Sequence, residues 1–364
     1  MYAVALLVAL LTVGSLSDHL GRRPVVLAGL ALEAAAMLVF VAAAAVPALV
    51  VARVIQGFAT GTALGALGAG LLDLDRRKGT IANGAGALAG VAVGALGSSL
   101  LVQYLPAPAR LVYVVFFAIF VFQGLGMIFI AESSPPTPGA LASLRPRLGL
   151  PRSTRMAFVA AVPILLAVWA LSGFYASLGP ALVRLVVGSE SVVFGGLALF
   201  VLAGTASVTV PLVRSVPPRG VMFLGIVALA VGVGVILLGI ARSAPAAFFM
   251  GTAVAGVGFG AGFQGALRTV LPIAAPHERA AVLAILYVVT YVALGLPAVI
   301  AGFLVVHGGG VLRTGQEYAV AVLVLAALAL AGLARRPRDQ MQDPRTVAQL
   351  PKDDVMARAG CPGA

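Results

Sequence analysis

Long apolar runs, broken at short intervals by clusters of Gly, Pro, Asp and Arg, set the pattern of this chain. Segments near 1–17, 24–44, 47–71, 80–104, 110–131, 157–179, 191–213, 219–241, 245–271, 280–305 and 317–334 are almost wholly hydrophobic. Most hold the roughly 20 residues that a helix needs to cross a hydrocarbon core about 30 Å thick. Ten-residue segments of alternating hydrophobicity, the mark of a membrane barrel, are absent. The pattern predicts an all-α polytopic membrane protein with eleven transmembrane helices present. The longest interruption, 132–156, is rich in Pro and Arg and reads as a cytoplasmic linker. It separates an N-terminal transmembrane half, 1–131, from a C-terminal one, 157–334, and the polar segment 335–364 reads as a disordered cytoplasmic tail.

Composition supports this reading. The 364 residues are 61% hydrophobic and only 10% charged, where a soluble domain is about half apolar and a quarter charged. The net charge of +12 does not point to nucleic acid, because the basic residues sit in short loops at span ends with no interleaved aromatics. Their placement instead orients the chain. Every second connection carries the cations: Arg22 and Arg23; Arg76, Arg77 and Lys78; Arg145, Arg147, Arg152 and Arg155; Arg214 and Arg219; Arg268 and Arg279; then the tail. The alternate connections hold only Arg110, Arg184, Arg242 and Arg313. The positive-inside rule places the first set, with the C-terminus, in the cytoplasm. Met1 then falls outside, ahead of a short first span, and a helix preceding Met1 is expected. The dominance of Arg over Lys with abundant Ala, Gly and Val fits a bacterial inner membrane. Cys361, the single cysteine, lies in the tail, so no internal disulfide forms.

The scarce charge concentrates in GSLSDHLGRRP, residues 14–24. Gly14 and Gly21 permit close approach and tight turning, and Asp18 can pair with arginine or accept from a helix N-terminus. Gly14, Leu16, Asp18, Gly21, Arg22 and Arg23 together resemble the G-x-L-x-D-x-x-G-R-R/K loop of the major facilitator superfamily. A second match, Arg53 to Gly57 with Gln56 between, resembles the R-x-x-Q-G segment of that family's fourth helix. An arginine within a span costs at least about 2.5 kcal/mol and is expected to face the interior with a partner. The resemblance implies two six-helix halves with the first helix missing, proton coupling through Arg53, and a relay of Asp18, Arg22 and Asp73 that stabilises the state closed to the cytoplasm. Ordinary interfacial charge balance is the alternative for that relay. Gly86, Gly90 and Gly94, at four-residue spacing, either pack closely on a neighbour or stand for the family's exporter motif, whose proline is absent here. The connection at 214–220 is the repeat counterpart of 14–24 but lacks the acid.

Glu33 is the one acid clearly inside a span. It can form a structural ion pair with Arg53, carry a coupling proton, or be an incidental polar residue. Trp169, Ser172, Tyr175, Gln264, Tyr287 and Tyr291 lie at mid-depth and form the candidate substrate cavity, suited to a hydrophobic, even cationic, solute; helix packing or interfacial anchoring is the alternative for each. Gly260, Gly262 and Gly265 match a dinucleotide fingerprint, but that motif needs a preceding strand in a βαβ unit, so they read as a packing face. His19, His277 and His307 fall in separate connections, so no metal site, cofactor or catalysis is expected. The resulting expectation is a monomeric, proton-coupled efflux transporter working by alternating access, whose partners are a small-molecule substrate, protons and the lipid bilayer. An importer of a small metabolite and a truncated, non-transporting remnant are the alternatives.

Overall fold

In hydrocarbon every backbone N–H and C=O must be satisfied within the chain, which leaves helices as the building unit for runs this apolar. The computed structural model describes residues 1–14, 16–144, 149–275 and 278–334, and among these every regular element is helical. The tail from 335, Arg145, Arg147 and His277 lie outside the described residues. The elements are α1 (Tyr2–Thr12), α2 (Ser17–Leu20), α3 (Arg22–Ala42), α4 (Val46–Leu74), α5 (Arg76–Tyr104), α6 (Pro108–Ile128), α7 (Ala140–Ser143), α8 (Arg152–Ser177), α9 (Gly179–Val187), α10 (Val193–Leu212), α11 (Pro218–Ala241), α12 (Pro245–Val270), α13 (Arg279–His307) and α14 (Gly310–Ala334).

Ten of these helices are long and apolar enough to cross a membrane, not the eleven expected. The difference is α1, whose 11 residues rise only about 17 Å at 1.5 Å each. It is nevertheless firmly seated. Gly57, Gly61 and Gly65 on α4 are spaced at four residues, and Cβ atoms built on them would meet Tyr2 O at 2.3 Å, Leu6 O at 2.5 Å and Gly14 O at 3.2 Å. Only the missing side chains let the two backbones approach this closely.

The C-terminal helices use the same device at a different period. Gly225, Gly232 and Gly239 of α11 recur every seven residues, two helical turns, and press on Gly262, Ala255 and Phe248 of α12. The expected packing face is here too: Gly260 lies against Ala206 of α10 and Gly265 against Met222 of α11. A continuous apolar core runs from Ala157 to Leu333, including Leu165, Val168, Leu202, Met222 and Phe248. The N-terminal helices bury smaller clusters, around Met37 and Phe40 and around Val25 and Val26.

One expectation of close packing fails. Cβ atoms built on Gly86, Gly90 and Gly94 meet nothing within 4 Å. The reason is rotational: α5 turns a different face, with Ala85, Ala92 and Ser99 at seven-residue spacing, toward α10. That seam joins N- and C-terminal helices along its length. Ser207 donates to Ala85 O at 2.8 Å near one end, and Val192 N donates to Gln103 Oε1 at 3.0 Å at the other.

Candidate functional site

The loop at 14–24 is organised around Arg22, the first residue of α3. Its Nη1 donates to Asp18 Oδ1 and, at 2.8 Å, to Ser17 Oγ. Its Nε donates to Asp73 Oδ2 at 3.1 Å on the last turn of α4. The guanidinium is largely buried, whereas Asp18 is exposed. The structure thus brings the expected Asp18, Arg22 and Asp73 together, with arginine as the bridge between two acids. Asp18 takes the arginine-pairing role of the two its chemistry allows.

Gly21 shows why this motif needs glycine. Its φ is +99°, a region that residues with a Cβ avoid, and a Cβ there would lie 2.7 Å from Glu132 Oε2. The open space admits the Glu132 carboxylate, which accepts from Arg22 N at 2.8 Å and Arg23 N at 3.0 Å. It therefore caps the N-terminus of α3, where unpaired N–H groups and the helix dipole favour an anion. Its slight burial works against the charge, but N–H groups of Ser134, Arg22, Arg23 and Ser133 outweigh this and hold the Glu132 carboxyl below the usual carboxylate range. The Arg23 side chain forms no ion pair among the described residues. Beyond Glu132 the linker continues onto the loop: Thr137 N donates to His19 O at 2.8 Å, and Thr137 Oγ1 lies 3.1 Å from His19 Nδ1.

Sequence reasoning missed Glu132 and Thr137, because both fall where charge and proline signal only a linker. The available signal was an acid placed directly after an apolar run, on the same side as Asp18.

Within the spans, Glu33 and Arg53 do not pair. Glu33 is 7% exposed, and its Oε1 accepts from Thr60 Oγ1 at 2.5 Å while Oε2 has no hydrogen-bond partner. Arg53 donates to Gln56 Oε1 at 2.9 Å and lies over the Phe40 ring, 5.1 Å from its centroid. The reason is depth. Glu33 meets α4 at Thr60, seven residues beyond Arg53, which is about 10 Å along a helix. Tyr2 of α1 adjoins Thr60 and lies within electrostatic reach of both Glu33 and Arg53. Arg53 also borders an open cavity of about 340 Å³ with Met1, Tyr2, Val46, Leu49 and Val50.

Of the expected cavity residues, Trp169, Tyr287 and Tyr291 come together. The Trp169 and Tyr291 ring centroids are 6.0 Å apart, Tyr287 and Tyr291 6.5 Å, and Phe259 and Phe263 each sit edge-on to Trp169 at 5.5 Å. Gln264, next to Phe263 on α12, reaches across to Gly84 of α5. Ser172 is half-buried on α8, one turn from Trp169. Tyr175 is a correction: it is fully buried among the C-terminal helices, bonded to Thr252 Oγ1 at 2.6 Å and packed on Phe174 and Phe248. Six residues along α8 from Trp169 correspond to about 600° of rotation, so the two rings point to different sides. Among the described residues no group of His, Cys, Asp or Glu could hold a metal.

A bundle of long apolar helices around buried polar and aromatic groups is the architecture of a polytopic membrane protein. The model of the Major Facilitator Superfamily matches residues 1–218, more than half of the chain, and the protein belongs to that superfamily. Among solved structures it is similar to the human organic anion transporter MFSD10 (TETRAN), at 19% identity and a TM-score of 0.65, covering 90% of this chain and 82% of that one. A search of curated proteins found no match.

Proposed function

We propose that this transporter exports a small, mostly hydrophobic compound across a bacterial inner membrane in exchange for protons, with its C-terminus cytoplasmic, acting as a monomer. The observation that carries the substrate class is the aromatic surface of Trp169, Tyr287 and Tyr291, backed by Phe259 and Phe263. Aromatic faces bind apolar and weakly cationic solutes through area and the ring quadrupole.

Proton exchange is assigned to Glu33, with Arg53 and Gln56 as neighbours on α4. A carboxyl that, among the described residues, has no ion pair and one oxygen without a donor is poorly satisfied in a dry interior. Such a group exchanges a proton when a conformational change admits water. Rocking of the N-terminal helices against the C-terminal ones would supply that change, as repeat-built transporters do, and the Asp18, Arg22 and Asp73 cluster would act as a latch for one of the two states.

Arg53 favours a second reading, an organic anion as substrate. It has no acidic partner among the described residues and borders an open cavity, and MFSD10 is described as an organic anion transporter. Dye retention in cells that express the protein, compared with cells that do not, separates these readings. The first predicts that the unaltered protein lowers intracellular ethidium and that a protonophore abolishes the effect. Lowered carboxyfluorescein with unchanged ethidium would replace it with the second.

A further inference from the structure

The loop at 14–24 has a structural counterpart in the C-terminal helices that lacks its acid. In the N-terminal part, α3 packs on α4 and α6, and α1 packs on α4; in the C-terminal part, α11 packs on α12 and α14, and α10 packs on α12. The connection from α10 to α11 (213–217) therefore corresponds in position to the connection from α1 to α3. It is held from the same two places. Arg268, in the last turn of α12, donates from Nη1 to Val213 O at 3.1 Å and from Nη2 to Val216 O at 2.9 Å. Arg219, at the start of α11, donates from Nη2 to Leu333 O at 3.3 Å, on the last turn of α14. In the N-terminal part Asp73 from the end of α4 and Glu132 from just beyond α6 occupy those two places.

The chemistry is inverted. In the first clasp carboxylates hold a guanidinium and amide N–H groups. In the second, guanidiniums hold carbonyl oxygens. Val213 closes the C-terminus of α10, where unpaired carbonyls and the negative end of the helix dipole attract a cation. The planar fork of arginine suits two acceptors at once, which a lysine ammonium on one flexible stem does not match.

Location separates this from an ordinary helix cap. Arg268 lies one turn beyond Gln264 on α12, and a Cβ on Gly84 of α5 would lie 2.7 Å from Gln264 Nε2 and 3.4 Å from Val210 of α10. The last turns of α12 thus sit where α5 from the N-terminal part meets α10 and α12 from the C-terminal part. Whatever ties α12 to α10 here also sets the surface that α5 moves against.

We propose that Arg268 is a positioning residue of the transport cycle: through Val213 and Val216 it locks the end of α10 to α12, and this second clasp, with the first, sets the balance between the two states of the transporter. The inference rests on the reading that the N- and C-terminal helices move against each other.

The test measures distances between spin labels at Phe129→Cys and Leu212→Cys, both exposed at the same end of the bundle, in reconstituted protein carrying Cys361→Ser. Arg268→Ala is expected to shift the distance distribution toward the separated state at least threefold, and to lower the maximal rate of ethidium transport with little change in KM. Arg268→Lys, which keeps the charge at the helix end, is expected to fall between and guards against a folding defect in the alanine variant. Arg22→Ala, run in parallel, reports on the first clasp. A shift with Arg22→Ala but none with Arg268→Ala or Arg268→Lys overturns the second clasp and leaves the gating reading standing. No shift with any variant overturns both. Lowered thermal stability with wild-type distances makes Arg268 a helix cap only and overturns its role in the cycle.

Discussion

Arg22 shows how much one side chain can organise when its surroundings are arranged for it. An exposed ion pair contributes about 0.2–1 kcal/mol, so the bond to exposed Asp18 adds little stability alone. The consequence lies in geometry: the same guanidinium reaches Ser17, Asp18 and Asp73, and its backbone N–H is held by Glu132. Asp18→Asn should therefore leave membrane-inserted protein within about twofold of normal and reduce transport severalfold, measured as dye efflux at matched expression. Unchanged efflux would remove the latch. Glu132 carries its own pH signature. A carboxyl whose folded value is depressed contributes stability that is complete above the ordinary range and is lost as pH falls through the lowered value. Hydrogen exchange at residues 132–137, corrected for intrinsic rates, should be flat from about pH 8 to 5.5 and rise only well below pH 4.3, the ordinary value for glutamate. Glu132→Gln should raise exchange there near neutral pH and converge with the unaltered protein at low pH, where the carboxyl is protonated.

Helices in this chain repeat small residues at four- and seven-residue spacing, and the spacing alone does not say which stripe meets a neighbour. Gly57, Gly61 and Gly65 seat α1, while Gly86, Gly90 and Gly94, equally regular, face open space. Substitution separates them. Gly61→Ile forces side-chain atoms into the backbone of α1, and overpacking of this kind costs about 1–3 kcal/mol. Gly90→Ala exchanges a helix-interior glycine for alanine with no clash, which favours the helix by up to about 1 kcal/mol. Thermal unfolding followed by the fluorescence of Trp169, the single tryptophan, should show a lowered midpoint for the first and an unchanged or raised one for the second. The spans other than α1 were legible, since hydrophobic length decides a membrane helix. Which face of each helix is covered depends on a rotation that no local pattern carries, and Tyr175 was misplaced for the same reason: mid-depth and aromatic in sequence, it turns into the packing of Phe174 and Phe248.

Across the whole molecule, the residues legible in advance were those with a steep energetic cost for being where they are. A loop that gathers Asp18, Arg22 and Arg23 in a chain so poor in charge, and an arginine within a span, both stand out on a line of sequence. The partners were not legible. Arg53 was expected to face the interior with a partner, an ion pair with Glu33 being one alternative; it is exposed and meets Gln56 and Phe40, while Glu33 meets Thr60, because pairing depends on the relative depth of α3 and α4. The loop of the second clasp was legible as a repeat counterpart, but its hold by Arg268 was not, since carbonyl acceptors leave no mark on residue type. What unites these elements is a bundle in which α5 and α10 form a full-length seam and α1 touches α13, with the aromatic cluster of α8, α12 and α13 beside them.

Reconstituted protein in vesicles with an acidic lumen tests the central claim, solute movement in exchange for protons through Glu33, most directly. The predicted result is that ethidium accumulates inside against its gradient, that collapsing the pH difference abolishes accumulation, and that Glu33→Gln still equilibrates ethidium but no longer concentrates it. Accumulation that persists in Glu33→Gln, or ethidium movement indifferent to the proton gradient, would contradict the account.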